Sequence, residues 1–77
     1  MEIEMTNALE TARDIGLLNA NAAFDQAGDY SSLEEAIASY WDNACDTLVG
    51  EGLANDECHA QTERAFNDRI AALRAVK

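Results

Sequence analysis

Proline is absent from this 77-residue sequence, and only four glycines interrupt it, whereas alanine is its most frequent residue. Alanine, leucine, glutamate and arginine all favour the helical backbone. No segment alternates apolar and polar residues with the period of two that a half-buried strand requires. The sequence therefore predicts an all-α fold, a small compact bundle of three to four helices that forms a single domain over residues 1–77.

The apolar core of such a bundle is small. Fifteen of the hydrophobic residues are alanines, which bury little area, and the chain has one tryptophan and two phenylalanines. A core of this size supplies about 3–5 kcal/mol unaided. Two arrangements would stabilise it further: close helix packing through alanine, or burial of more surface in a homodimer. The sequence leaves both open.

The first predicted helix extends from Asn7 to about Ala27. Asn7 is a suitable N-cap residue, and a glutamate follows three residues later. Small and apolar residues recur on one face, which suits close approach by a neighbouring helix: Leu9, Ala12, Gly16, Ala20, Ala23 and Ala27. Gly28 is the predicted C′ residue, because glycine accepts the left-handed backbone conformation.

A break within this region is the alternative. Gly16 lowers the helix propensity, and Asn19 favours the N-cap of a second helix that ends at Gly28. In that arrangement the first helix ends after Ile15, and the two leucines that follow form a short connector. Residues 7–27 thus form either one helix or two.

The middle helix has the clearest start. A capping box pairs either Ser31 with Glu34 or Ser32 with Glu35, and the helix is predicted to reach about Val49. A Gly-Glu-Gly segment immediately afterwards ends it. Its apolar residues form a broad stripe at helical spacing: Leu33, Ala36, Ile37, Tyr40, Trp41, Ala44, Leu48 and Val49.

The last helix is predicted to start near Asn55, with Asp56 and Glu57 in its first turn, where the helix dipole favours anions. Its apolar line consists of Cys58, Thr62, Ala65, Phe66, Ile70, Leu73 and Val76. Cations lie towards its C-terminus, where the dipole favours them: Arg69, Arg74 and Lys77.

Charge is distributed very unevenly along the chain. Residues 1–63 carry a net charge of −13, and residues 64–77 carry +3. Phosphate binding requires positive charge, so the acidic segment argues against direct nucleic-acid binding. It favours a surface that competes for proteins that bind nucleic acid. The helix dipole explains part of the basic end, but not the carboxylates that precede it.

Carboxylates align on one face of the middle helix. Glu35, Asp42 and Asp46 lie at helical spacing, away from the apolar stripe. Repulsion between neighbouring carboxylates costs stability, which suggests that the row serves to occupy a phosphate-binding groove. Solubility or adaptation to high salt explains the same row and stays open. The predicted partner-binding residues are Glu34, Glu35, Asp42, Asp46, Glu51, Asp56 and Glu57.

Two aromatic residues, Tyr40 and Trp41, lie on the apolar side of the same helix. Core packing explains them, and in a homodimer they are the natural anchors of the interface, because aromatic residues are enriched at binding hot spots.

No motif for catalysis or metal binding is present. His59 is the only histidine, and the chain has neither a Gly-x-Ser-x-Gly segment nor a Gly-rich phosphate loop. Cys45 and Cys58 lack zinc-ligand spacing and are predicted to be free thiols. The loop around Gly28 lacks the spacing of an EF-hand. We expect no enzymatic activity, no metal and no cofactor.

The N-terminal residues are acidic, and no apolar run approaches the ~20 residues that a membrane span requires. A secretory signal would need a basic start followed by a continuous apolar segment. We therefore expect a cytoplasmic protein that does not contact a membrane.

A very small, acidic, alanine-rich chain with a capped acidic helix from Ser31 to Val49 resembles phage- and plasmid-encoded inhibitors of bacterial defence systems. Anti-CRISPR proteins and antirestriction DNA mimics are the nearest groups. The resemblance covers the whole chain at the level of composition and rests on the seven acidic residues named above. It implies a non-catalytic inhibitor in the cytoplasm of a bacterial host. Such an inhibitor would bind a basic nucleic-acid-binding protein, such as a CRISPR effector subunit, and block access of nucleic acid.

The alternative function is a small helical interaction or assembly module, such as an adaptor or an antitoxin-like protein. It would bind its partner through the apolar stripe around Tyr40 and Trp41 rather than through the carboxylates.

Overall fold

The computed structural model describes residues 2–76, with side chains described from residue 7 onward. Its elements are α1 (Glu2–Asp25), a 3₁₀ turn (Ala27–Asp29), α2 (Leu33–Gly50) and α3 (Asp56–Ala75). These residues contain no strand, which confirms the prediction of a small all-α bundle. Met1 and Lys77, the two ends of the predicted domain, lie outside the described residues.

The start of α1 corrects the sequence prediction. The helix begins at Glu2, so Asn7 lies within it and is not its N-cap. The residues before Asn7 include neither glycine nor proline, the two residues that most strongly oppose a helix. A residue that favours the N-cap position does not end a helix when the backbone on both sides favours helix.

Residues 7–25 belong to one continuous helix, so the alternative with a break after Ile15 is wrong. Asn19 does not cap a second helix, because it is buried and its side chain bonds elsewhere. Its Nδ2 donates to the carbonyl oxygen of Ile15 at 2.8 Å, and its Oδ1 accepts from Nδ2 of Asn43 at 2.7 Å. The second bond joins α1 to α2.

Gly28 does not end α1 in the left-handed conformation, contrary to the prediction. Gly28 lies in the 3₁₀ turn. Among the described residues, the glycine with a positive φ is Gly52, at 75°. The backbone N–H of Tyr30 donates to the carbonyl oxygen of Ala27 at 3.1 Å and closes the turn. The chain leaves α1 by tightening into this turn, which satisfies backbone carbonyls without a left-handed residue.

The N-caps of α2 and α3 confirm the sequence prediction. Oγ of Ser32 accepts from the backbone N–H of Glu35 at 3.2 Å, so the Ser32 alternative is the correct one. The Glu35 carboxylate in turn accepts from the backbone N–H of Ser31 at 3.0 Å. At the start of α3, Oδ1 of Asn55 accepts from the backbone N–H of Cys58 at 2.8 Å.

The glycine signal after α2 is also confirmed. The last helical residue is Gly50, and Gly52 adopts the left-handed conformation. The N–H of Gly52 donates to the carbonyl oxygen of Val49 at 3.1 Å, and that of Leu53 to the carbonyl oxygen of Leu48 at 2.8 Å. This is the hydrogen-bond pattern of a Schellman motif, in which glycine avoids the steric cost of a positive φ.

The central element is α1, because α2 and α3 both pack along it but contact one another only sparsely. The backbone of α3 approaches α1 closely at Gly16, where a Cβ would lie 2.5 Å from the carbonyl oxygen of Thr62. Oγ1 of Thr62 donates to the carbonyl oxygen of Ala12 at 2.8 Å. The buried small residues are Ala12, Ala20 and Ala23 of α1, Ala36 and Ala44 of α2, and Ala65 of α3. Close packing through alanine therefore stabilises the fold.

Gly16→Ala tests this contact. Alanine in place of glycine in an unobstructed helix gains about 0.5–1 kcal/mol. Here the added methyl group meets the backbone of α3, so we expect a net loss of about 1–3 kcal/mol in the free energy of unfolding. Chemical denaturation followed by circular dichroism measures the change.

Gly50→Ala is the matched control, because Gly50 is helical and a Cβ there has no atom within 4 Å. It should leave stability unchanged or raise it by up to about 1 kcal/mol. Equal stability of the two variants would contradict the close approach of α1 and α3.

Candidate functional site

The predicted acidic row lies on the outer face of α2. Glu35, Asp42 and Asp46 are exposed, whereas Ala36 and Ala44 are buried on the side that faces the core. In residues 7–76 the structure records an ion pair for neither aspartate. Asp42 and Asp46 therefore present two charges about 6 Å apart along the helix axis, given its rise of 1.5 Å per residue.

Two of the predicted carboxylates already have partners within the protein. Glu34 accepts from Nη2 of Arg74 at 2.6 Å, in an ion pair between exposed side chains that joins the start of α2 to the end of α3. Glu35 is held by the backbone N–H of Ser31. The ion pair thus offsets negative charge at the N-terminal end of α2, whereas Asp42 and Asp46 have no such partner in residues 7–76.

The other three predicted residues follow α2. Glu51 is exposed at the C-cap of α2, and its backbone N–H donates to the carbonyl oxygen of Thr47 at 2.9 Å. Asp56 and Glu57 are exposed in the first turn of α3, where the helix dipole stabilises negative charge. These two carboxylates thus have a local structural role in addition to any binding role.

A further carboxylate, Glu63, belongs with the row although it is not among the seven predicted residues. It lies on α3 and lines a depression between α2 and α3 together with Trp41. Its charge also acts on Cys45 of α2, as do those of Asp42 and Asp46. We call Asp42, Asp46 and Glu63 the acidic cluster. Helical periodicity alone does not place Glu63 there, because its position depends on the antiparallel pairing of α2 and α3.

The charges of the acidic cluster act on the thiol of Cys45. Partial burial raises the pKa of this thiol above its usual value, and the charges of Asp42, Asp46 and Glu63 raise it further. Cys58 is fully buried, and both cysteines are free. Because the thiolate is the reactive form, the environment of Cys45 suppresses nucleophilic chemistry.

The aromatic residues on the apolar side of α2 take part in core packing. The Trp41 ring lies 5.3 Å from the Phe66 ring and 5.5 Å from the His59 ring, measured between centroids. Trp41 packs against both clusters of buried residues, one around Leu48 and one around Phe66. Tyr40 packs edge-on against Tyr30 at 6.2 Å. Their role in a dimer stays a prediction.

Within the described residues, no three His, Cys, Asp or Glu side chains are grouped so that they could hold a metal ion. The helices of the described chain likewise lack the length of apolar sequence that a bilayer crossing requires. Comparison of the chain with protein-family models, curated proteins and solved structures found no match to any of them.

The reactivity of Cys45 tests the acidic cluster. In mildly alkaline buffer we expect one thiol per native chain to react with iodoacetamide, more slowly than the thiol of an unstructured cysteine peptide. Asp42→Asn with Asp46→Asn should accelerate the reaction and lower the pH at which it begins, because two of the charges that disfavour the thiolate are removed.

The control is Glu10→Gln with Asp14→Asn, which removes two exposed charges with the same four-residue spacing from α1. It should leave the rate unchanged. If both pairs of substitutions accelerate alkylation equally, net charge rather than the acidic cluster controls the thiol.

Proposed function

We propose that this protein is a non-catalytic inhibitor that binds a basic, nucleic-acid-handling protein through the outer face of α2 and blocks access of nucleic acid. Within that class we propose a bacterial defence effector as the target and an anti-CRISPR-like mode of action. The observation that carries the proposal is the pair Asp42 and Asp46, exposed on one face of α2 without an ion-pair partner in residues 7–76.

Charge geometry supports this function. Successive phosphates repeat at roughly 3.4 Å of axis on each strand of duplex DNA. The two aspartates, about 6 Å apart along the helix axis, are separated by nearly two such steps. Side chains of lysine and arginine that bind phosphate also bind carboxylate. A groove lined by these residues would accept the helix face in place of nucleic acid.

The acidic cluster supports a functional origin for the charge. Asp42, Asp46 and Glu63 all act on the thiol of Cys45. The two aspartates lie four residues apart on α2, a spacing at which like charges weaken a helix. Solubility requires a negative surface but not this concentration. A basic partner would relieve the repulsion, so part of its binding energy would come from the unfavourable arrangement in the free protein.

The alternative function is binding through the apolar stripe of α2. Only part of that stripe is accessible to a partner. Ala36, Ala44 and Leu48 of that stripe are buried within the fold. Tyr40 and Trp41 are half-buried and packed against core residues.

Asp42→Lys with Asp46→Lys tests the proposal. Proteins retained by the immobilised wild type from a bacterial lysate are identified, and the strongest nucleic-acid binder among them is purified. The wild type should compete with nucleic acid for it, and the affinity should fall steeply with salt. The double substitution should weaken binding by roughly tenfold or more, since about 1.4 kcal/mol corresponds to tenfold.

Glu10→Lys with Asp14→Lys makes the same change in net charge on the exposed face of α1 and serves as the control. It should weaken binding less than the α2 pair. If neither pair affects competition, or if no nucleic-acid-binding protein is retained, the acidic-face proposal is wrong.

A further inference from the structure

A groove separates α2 from α3 on the side of the bundle away from α1. The two helices run antiparallel, and the Glu34–Arg74 ion pair closes one end of the groove. The segment between α2 and α3 closes the other. The open part extends from about Ile37 to Val49 of α2, which corresponds to about 18 Å of helix.

Two depressions lie in this groove. The first, about 330 Å³, is lined by Ile37, Ala38 and Trp41 of α2 and by Phe66 of α3. The second, about 250 Å³, is lined by apolar atoms that include those of Leu48 and Val49. Val49 is 66% exposed, although it belongs to the apolar stripe.

An aromatic ridge divides the depressions. Trp41 lines the first and His59 the second, and their rings meet edge-on with centroids 5.5 Å apart. An occupant must therefore pass over the ridge and direct one apolar side chain into each depression. Side chains one or two helical turns apart on the same face of a helix have this arrangement.

The charge at the rim of the groove is negative. Glu63 lines the first depression, Asp56 lines the second, and Asp42 and Asp46 lie on the adjacent face of α2. Among the residues that line these two depressions there is no lysine or arginine. An occupant with apolar residues on one side and cations on its flanks is complementary to this surface.

We propose that the groove between α2 and α3 binds one amphipathic helix of about three turns, flanked by lysine or arginine, from the basic target protein. This inference rests on the proposed function for the identity of the partner, and it adds the element of the partner that docks. A helix fits an apolar groove because its backbone hydrogen bonds are satisfied internally. The described chain has no sheet edge on which an extended peptide could pair.

A designed peptide tests the groove. It contains about 14 residues, with leucines on one helical face, lysines elsewhere and no tryptophan, so that Trp41, the only tryptophan of the chain, reports binding. The control peptide has the same composition, with the leucines placed so that they share no face. We expect the amphipathic peptide to bind at least tenfold more tightly by calorimetry and to shift the Trp41 emission to shorter wavelength. Equal affinity of the two peptides would overturn the proposal.

Ala38→Gln blocks the first depression without a change in charge, because Ala38 is exposed and lines it. Trp41 is unsuitable for this purpose, since it packs against both core clusters and its removal would disturb the fold. We expect Ala38→Gln to lower the affinity for the amphipathic peptide by tenfold or more. The control Ala72→Gln, at an exposed position of α3 that lines neither depression, should bind like the wild type.

The same variants separate this inference from the proposed function. One outcome supports the acidic face alone: Asp42→Lys with Asp46→Lys weakens binding of the target protein, but Ala38→Gln leaves the affinity for both the target protein and the peptide unchanged. The groove proposal is then wrong. The opposite outcome supports the groove alone: Ala38→Gln lowers the affinity for both the target protein and the peptide, and the charge reversals lower neither. The acidic-face proposal is then wrong. A homodimer abolished by Ala38→Gln would assign the groove to a second copy of the chain and overturn the proposal.

Discussion

The backbones of α1 and α3 meet at Gly16 and Thr62, at a distance that leaves no space for a side chain on the glycine. This contact places α3 directly against α1, while the bond between Asn19 and Asn43 joins α2 to the same helix. Both α2 and α3 pack along α1, whereas their direct contact with each other is sparse. The space between them is bridged by side chains rather than by direct helix packing. The groove lies between these two helices, which share α1 as their main packing partner.

Small residues make this contact possible, but they leave the protein with little apolar area to bury. The alanines of all three helices fill the space between the backbones, and few large side chains remain for the rest of the core. Trp41 compensates by packing against both clusters of buried residues. It therefore serves two purposes that the sequence pattern presents as alternatives: its buried part stabilises the fold, and its remaining surface forms part of the groove.

Local signals in the sequence predicted the parts of the structure that depend on neighbouring residues. The caps at Ser32 and Asn55 are correct because each cap bonds to a backbone N–H three residues later. Two local signals failed for local reasons: Asn7 lies within α1 because the helix extends before it, and Gly28 lies in a 3₁₀ turn. Other residues have roles that depend on distant parts of the chain. Gly16 resembles a helix breaker in sequence, and its packing against α3 becomes evident only in three dimensions. The sequence likewise did not predict Glu63 as a member of the acidic cluster, because helical spacing on α3 does not reveal its proximity to α2.

The acidic face and the groove would contribute different components of binding. Two exposed charges 4 Å apart attract by about 1 kcal/mol in water, and at physiological salt the attraction is largely screened beyond about 8 Å. Charge alone would therefore speed association and select basic partners, but the complex would weaken as salt rises. Burial of apolar surface contributes about 25 cal/mol per Å² and does not depend on charge screening. Because Glu63 and Trp41 line the same depression, a single docked helix could use both components, and its residual affinity at high salt would come from the apolar depressions.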